Sequence, residues 1–424
     1  MHISCLGIGG IGMSYVVRYL LAEGHKVSGV DMAENEPVRR LREAGVPIHI
    51  GHDQPLPDDV DLVLVSPAVL IARPPDLVEA QSKGIPVQTW QEFLGSITER
   101  HTTLAVCGVH GKSTTTAMAG VAMMELGLDP TVMVGSFVPA FGGSNLRLGK
   151  SPWLVIEADE YHENFLSYQP AHILCTSYEP DHLDYFQTEE RYAKAYIDFF
   201  AKLPSEGRIF YHAGDAKIQA LIEVAGKVGV PVPDEPLTLA IPGQHNRANA
   251  RLVRAFLTYI GEPQENIATA LLAFTGTWRR QEKLGSLPDG TLIYDDYAHT
   301  PTEIDATVSS MREAYPEAEL VAVFQPHQYS RTRLFFDGFV EAAKGADRLY
   351  VMDIYESRDT QEDKRAVSSA MLVEAMQKKG RPAVYAGSLE QTEALLRGLP
   401  TSSGPRVLIF MGAGTITSVA HKML

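Results

Sequence analysis

Cysteine is scarce: three residues occur in 424, and Cys5, Cys107 and Cys175 are scattered without metal-ligand spacing. Each sits in an apolar, strand-like segment where a small buried thiol accounts for it, so a reducing compartment fits and no cysteine metal site is expected. Long apolar runs are missing too, since Thr131 to Val134 and Leu320 to Phe324 are far too short to cross a bilayer. Residues 1–10 read as strand and turn, without the charged start and cleavage site of a signal peptide. A cytoplasmic location with no membrane partner is expected. Basic residues are outnumbered, 37 Lys and Arg against 52 Asp and Glu for a net charge of −15. Phosphate-backbone binding needs a basic face, so no nucleic-acid partner is expected, and any anionic substrate must be met by local groups. No short-period repeat, no low-complexity tail and no obligatory protein partner is implied.

What is present is a globular composition, 45% hydrophobic and 21% charged, in a chain long enough for two to four domains. Strand and helix alternate throughout, which means α/β architecture.

A phosphate-loop candidate stands at Gly108-Val109-His110-Gly111-Lys112-Ser113-Thr114-Thr115-Thr116. Thr102 to Cys107 before it has strand character, and Thr114 to Leu126 after it suits a helix ended by Gly127. In that context glycines let backbone N–H groups close around phosphate oxygens, the helix N-terminus adds positive partial charge, Lys112 supplies a mobile cation and Ser113 a hydroxyl for Mg²⁺. Val106 stands where the strict G-x-x-x-x-G-K pattern has its first glycine. An ordinary glycine-rich turn is the competing explanation.

A second glycine loop, Gly7-Ile8-Gly9-Gly10-Ile11-Gly12, lies between the strand His2 to Leu6 and a helix over Met13 to Glu23. Val27 to Val30 reads as the next strand, with Asp31 at its end. This Rossmann-like βαβ suits a diphosphate at the helix N-terminus and Asp31 near a ribose, although pure strand–helix packing explains such turns as well. An NAD-dependent dehydrogenase is an alternative reading. A second phosphate loop has no role in simple hydride transfer, however, and two phosphorylated substrates fit better.

Later strand ends carry polar groups. A glycine-rich connection is expected from Gly135 to Gly149, then a strand Trp153 to Ile156 running into Glu157-Ala158-Asp159-Glu160. Glu157, at a strand's carboxyl end beside a phosphate loop, suits Mg²⁺, with a solvated strand end as the alternative. His182 follows the strand His172 to Ser177 and is either structural or a ligand to a second divalent ion. Asn246 and Asn249 precede or open a helix over Ala250 to Ile260; three apart, they suit ATP or a metal-bound water, or Asn246 simply caps the helix. Arg279 and Arg280 mark a junction, able to neutralise a transferring phosphoryl group or to form a solvated face. Asp296 and His299 follow the strand Thr291 to Tyr294, at the end where open α/β sheets place ligands.

Gly-Ile-Gly-Gly-Ile-Gly-Met-Ser at 7–14, Gly-Val-His-Gly-Lys-Ser-Thr-Thr-Thr at 108–116, Glu-Ala-Asp-Glu at 157–160, Glu-Pro-Asp-His-Leu-Asp at 179–184 and His-Asn-x-x-Asn at 245–249 resemble, in order, the Mur ligases. The resemblance runs from end to end. It implies an ATP-dependent, Mg²⁺-requiring ligase of peptidoglycan precursor synthesis that joins L-alanine to the lactyl carboxylate of UDP-N-acetylmuramate through an acyl phosphate. A sibling ligase adding another amino acid or a peptide to the same nucleotide sugar is the nearest alternative. By resemblance, ATP is held by Gly108, Val109, His110, Gly111, Lys112, Ser113, Thr114, Asn246, Asn249, Arg280 and Asp296, and magnesium by Ser113, Glu157 and His182. Lys112, His182, Arg280 and His299 form the implied catalytic group. The nucleotide sugar is assigned to Gly9, Gly10, Ile11, Gly12, Met13, Asp31 and Ser66, and the amino acid to His327 and Arg331. The implied fold is α/β in three domains: a Rossmann-like domain at 1–99, a central P-loop ATPase-like parallel-sheet domain at 100–278 and a Rossmann-like C-terminal domain at 279–424. Val109, Gln281, Thr300 and Gln328 depart from the family's usual residues, and the stretch Asp215 to Pro242 is short for its central domain.

Overall fold

The computed structural model describes residues 1–179, 183–357, 359–400, 402 and 404–424. Among them, strands assemble into three sheets, with helices between most successive strands. The first contains β1 (His2–Leu6), β2 (Lys26–Asp31), β3 (Ile48–Ile50), β4 (Leu62–Val65) and β5 (Val87–Thr89), in the order β3-β2-β1-β4-β5. Every pairing in it is parallel. The chain leaves β1 toward β2 on one side and reaches β4 on the other, so the glycine turn after β1 lies at the point where strand order reverses. Every residue of β1 is buried, as expected for a parallel strand covered on both faces.

The second sheet contains β6 (Thr102–Cys107), β7 (Thr131–Val138), β8 (Ser144–Arg147), β9 (Trp153–Glu157), β10 (His172–Cys175), β11 (Ile209–His212) and β12 (Gly229–Val232). Their order is β12-β11-β10-β6-β9-β7-β8, with β7–β8 the antiparallel pair. The expected glycine-rich connection from 135 to 149 is therefore largely a hairpin. Only Gly142 and Gly143, at φ 66° and 74°, are used for the turn, while Phe137, Val138 and Leu146 are buried. Glycine content suggested loop, and side-chain burial overrode it.

The third sheet contains β13 (Glu282–Ser286), β14 (Leu292–Asp296), β15 (Glu319–Phe324), β16 (Arg348–Met352), β17 (Ala383–Gly387) and β18 (Arg406–Met411), in the order β13-β14-β18-β15-β16-β17. β13 runs antiparallel to β14 at one edge. β15 shows how the layers form: Leu320, Ala322 and Phe324 enter the core on one face with Ile304 and Val308 of helix Pro301–Ala314, while Val321 and Val323 enter the other with Val419 of helix Thr417–Met423. Alternation along a strand feeds both cores. Each such aliphatic side chain contributes roughly 1.5–3 kcal/mol by leaving water.

The chain divides into two compact units, Met1–Thr238 with Ala248–Thr275, and Leu239–Arg247 with Gly276–Leu424. The first unit holds the first two sheets and the second unit holds the third. Within the first unit, Asn145 on β8 donates from Nδ2 to the Ile11 carbonyl at 3.1 Å and to Ser14 Oγ at 2.7 Å. The Arg40 guanidinium lies over the Phe137 ring at 3.9 Å. Among the described residues no helix is long and apolar enough to cross a membrane.

Candidate active site

β6 runs straight into the loop at 108–111, and the helix that follows spans Lys112–Glu125, two residues earlier than its composition suggests. Gly111 at φ 84° turns the chain into it. A Cβ on Gly111 would stand 2.7 Å from Asn249 Oδ1, and one on Gly108, at φ 122°, would stand 2.3 Å from Thr176 Oγ1. Both positions need glycine on two counts, left-handed backbone and absent space. The end of β10 braces the loop: Thr176 Oγ1 donates to the Cys107 and His110 carbonyls at 3.1 and 2.5 Å, and the His110 N–H donates to Ser177 Oγ at 3.0 Å. Val109 packs half-buried against the core, and Thr114 is half-buried in the first helical turn.

Lys112 opens the helix with Nζ turned back over the loop. It donates to the Gly108 carbonyl at 2.6 Å and to Glu160 Oε2 and Oε1 at 2.9 and 3.2 Å. Burial by itself would lower the lysine's pKa; the carboxylates of Glu160, Asp159 and Glu157 outweigh it and hold the ammonium above its ordinary value. Ser113 Oγ donates to Glu157 Oε1 at 3.0 Å, and the Gly135 N–H donates to Glu157 Oε2 at 2.7 Å. Burial raises the Glu157 pKa against the opposing pull of Lys112 and these two hydrogen bonds. Ser113 and Glu157 thus bring two hard oxygen donors together beside the loop, chemistry that fits Mg²⁺. The third expected ligand, His182, lies outside the described residues. Among the described residues no group of three His, Cys, Asp and Glu side chains converges as a metal site.

At the first sheet, the turn after β1 is latched by Asp31, which accepts from the Gly9 N–H at 2.7 Å and the Ala33 N–H at 3.1 Å. Asn35 Nδ2 donates to the Gly9 carbonyl at 3.1 Å. Gly10 caps helix Ile11–Ala22, whose first turn includes Gly12 and the buried Met13. A Cβ on Gly12 would meet the Trp90 ring at 2.6 Å, and one on Gly7 would meet Ser66 Oγ at 2.6 Å. Ser66 also caps helix Pro67–Ala72, accepting from the Val69 N–H. Asp31, Ser66 and the glycines therefore form one local group. Asn145, Asn35 and Trp90 belong to it without having been singled out.

The second unit gathers the remaining candidates. Asn246 donates from Nδ2 to the Pro242 carbonyl at 2.6 Å, inside a helix, Gln244–Tyr259, that starts six residues before the position expected for it. Asp296, at the end of β14, is buried and accepts from the Ala298 N–H at 2.8 Å, the Gln281 N–H at 2.9 Å and Thr307 Oγ1 at 3.1 Å. Burial raises its pKa to about 6 despite Arg280 nearby and these backbone donors. Arg280 lies 3.8 Å from Glu303 and 5.3 Å above the Tyr297 ring. Glu303, in the capping box of helix Pro301–Ala314, also accepts from the His299 N–H at 3.0 Å. Burial lowers the His299 pKa, with Arg331 and Arg280 adding to it against Glu303, so the ring is neutral at neutral pH. His327 stands 6.3 Å from the His299 ring, stacks on Tyr355 at 5.3 Å, and has its Nδ1 3.4 Å from Arg331 Nη1. Two arginines and two histidines share this neighbourhood, suited to holding carboxylate or phosphoryl oxygens and an amine.

Comparison with known proteins bears on all three sheets. Three family profiles match: "Mur ligase family, catalytic domain" over residues 2–102, "Mur ligase middle domain" over 106–234 and "Mur ligase, glutamate ligase domain" over 279–414. The UDP-N-acetylmuramate--L-alanine ligase of Chlorobaculum tepidum is 36% identical over 453 residues, covering 99% of this chain and 94% of that protein. The protein of the same name from Clostridium kluyveri is 34% identical, covering 99% and 97%. Among solved structures, a UDP-N-acetylmuramate-alanine ligase from Thermotoga maritima superposes with a TM-score of 0.85 at 28% identity, covering 100% of this chain and 98% of that one. A murein peptide ligase from Psychrobacter arcticus shares the fold, with a TM-score of 0.70 at 21% identity and coverage of 100% and 98%.

Proposed function

Because the chain belongs to the Mur ligase family, whose members are ATP-dependent ligases, we propose that it joins L-alanine to the lactyl carboxylate of UDP-N-acetylmuramate. The observation that carries this reading is likeness along the whole chain, 34–36% over 99%, to proteins named for that reaction. The arrangement around Lys112, with its buried ion pair to Glu160 and the neighbouring Ser113–Glu157 contact, supports the ATP half of it.

A carboxylate does not accept an amine at neutral pH. The lactyl carboxylate therefore attacks the γ-phosphorus of ATP, giving an acyl phosphate and ADP, and the amine of L-alanine then displaces phosphate through a tetrahedral intermediate. No protein nucleophile is needed. In this reading Lys112 leaves Glu160 to bind phosphate oxygens, Gly108 to Thr114 cradle them, and Asn246, Asn249 and Asp296 hold the nucleotide. Arg280 offsets charge on the transferring phosphoryl group. Magnesium would be held by Ser113 and Glu157, with His182 as the third ligand that the family resemblance implies, and would supply further charge neutralisation at those oxygens. Gly9 to Met13, with Asp31 and Ser66, bind the UDP moiety. In the same reading neutral His299 takes a proton from the incoming ammonium, and His327 with Arg331 orients its carboxylate. The working domains are 1–99, 100–278 and 279–424, in a cytoplasmic enzyme.

The test is phosphate release from ATP in the presence of magnesium and UDP-N-acetylmuramate, with and without each amino acid. L-Alanine is expected to stimulate release above every other amino acid. Absence of that stimulation removes the alanine assignment, and stimulation by a peptide alone assigns the chain to a sibling activity.

A further inference from the structure

We propose that Gln281, bridged to His245 and Ser310, is a positioning residue that aims Arg280 at the transferring phosphoryl group. The inference rests on the ligase reading above and concerns how its arginine is held. Arg280 is flanked by two residues in the left-handed backbone region, Arg279 and Gln281, both at φ 52°. Neither is glycine, so this conformation is costly and persists only where the surroundings over-determine it.

The surroundings do so from both sides, all within the second unit. Arg279 is buried: its Nε donates to Asp295 Oδ2 at 3.0 Å, its Nη2 donates to the Gly412 carbonyl, and its backbone N–H donates to Glu282 Oε2 at 2.9 Å. Its carbonyl accepts from the Tyr297 N–H at 2.7 Å. On the other side, the Gln281 N–H donates to Asp296 Oδ2 at 2.9 Å, its Oε1 accepts from Ser310 Oγ at 2.9 Å, and its Nε2 lies 3.2 Å from His245 Nε2. Burial, with Arg280 and Arg247 nearby, lowers the His245 pKa to about 4. The ring is therefore neutral at neutral pH and presents a lone pair to the Gln281 amide. One side-chain amide thus joins three segments: the turn itself, residues 239–247 and helix Pro301–Ala314. Between these anchors Arg280 donates its backbone N–H to the Thr277 carbonyl at 3.1 Å, while its guanidinium makes the long 3.8 Å pair with Glu303. The turn is fixed and the side chain it presents is left to reach.

Gln281→Gly keeps the positive φ without strain and deletes the amide, and Ser310→Ala is a milder cut that leaves the backbone untouched. In full-length protein turning over ATP, UDP-N-acetylmuramate and L-alanine, Gln281→Gly is expected to lower kcat on the order of ten- to hundredfold, with each KM changing less than about threefold. Ser310→Ala is expected to lose part of this. In an Arg280→Ala background the same Gln281→Gly change is expected to cost less than about twofold, because its effect runs through Arg280. Equal losses in both backgrounds, or a rise confined to KM, overturn the inference. Wild-type protein without alanine-stimulated phosphate release overturns the ligase reading instead. Amide exchange reads the clamp without any turnover: His245→Ala is expected to speed exchange at Arg280 and Gln281 at least about tenfold, and unchanged exchange overturns it.

Discussion

Replacing Glu160 with glutamine would isolate the charge that holds Lys112 in place. The pair is close, at 2.9 and 3.2 Å, and Glu160 is fully buried while the lysine side chain is 13% exposed. At an effective dielectric near 20 the gross attraction at that distance is about 6 kcal/mol. Much of this offsets desolvation, and breaking a buried pair by removing one partner costs about 3–5 kcal/mol. Two further carboxylates, Glu157 and Asp159, still face the ammonium, and glutamine keeps an acceptor, so the loss should fall to about 2–3 kcal/mol. The sign with pH follows from the raised lysine value. The stabilisation is fully present below the unfolded lysine pKa and is lost only as pH rises through the folded one, so Glu160→Gln should cost the same from pH 6 to pH 9. Amide exchange along helix Lys112–Glu125 reads this locally in a chain of two compact units, and protection should fall roughly 30- to 150-fold. ATP affinity should move the other way, because the variant removes a competitor for Lys112 and one negative charge beside the phosphates. Protection unchanged within about threefold, or weaker ATP binding, would refute the reasoning.

Gly111→Ala forces a left-handed alanine, at about 1–2 kcal/mol, and a Cβ 2.7 Å from Asn249 Oδ1; ATP affinity by calorimetry should fall more than about tenfold, and wild-type affinity would show that this close approach is dispensable. Asp296 titrates near 6 when folded against about 3.9 unfolded. The folded state then keeps a proton that the unfolded chain has released, so this group's contribution is full below about pH 4 and is lost as pH rises through 6, a change of about 3 kcal/mol. Exchange in helix Pro301–Ala314, compared between wild type and Asp296→Asn at pH 4.5 and pH 7, should show the wild type losing about 2 kcal/mol relative to the variant, the part of that change falling between these two values. A gap that ignores pH would falsify the buried carboxyl.

Legibility followed sequence distance. Gly108, Gly111, Lys112 and Ser113 are contiguous, and their chemistry depends on a local strand–turn–helix, so the loop could be read directly. Glu160 is 48 residues from Lys112, and although it shares an acidic run with Glu157, nothing in that run says which carboxylate turns to the lysine and which to the serine. Asn145 reaches the glycine turn from 134 residues away. Its segment, 135–149, reads as loop because four glycines stand out over the apolar Phe137, Val138 and Leu146, which the hairpin buries. Asp31 was legible by position but not by partner: its carboxylate closes the turn through the Gly9 N–H. His182, which its place after a strand and the family resemblance single out, lies outside the described residues.

The arginine pair shows why residue type alone stops short of role. Arg279 and Arg280 are adjacent and chemically identical, and the sequence offers both for charge neutralisation. Their burial separates them, 5% exposure for the Arg279 side chain against 34% for Arg280. A guanidinium withdrawn from water needs its donors satisfied, and Asp295 with the Gly412 carbonyl meets that need for Arg279. Pulling it out to meet a phosphoryl group would leave Asp295 as a buried, unpaired carboxylate, at about 3–5 kcal/mol. Arg280 carries no such penalty: its ion-pair partner is 3.8 Å away and its face lies over Tyr297. Of two equal candidates, only the second can move at low cost, and the first is what keeps the turn from moving with it.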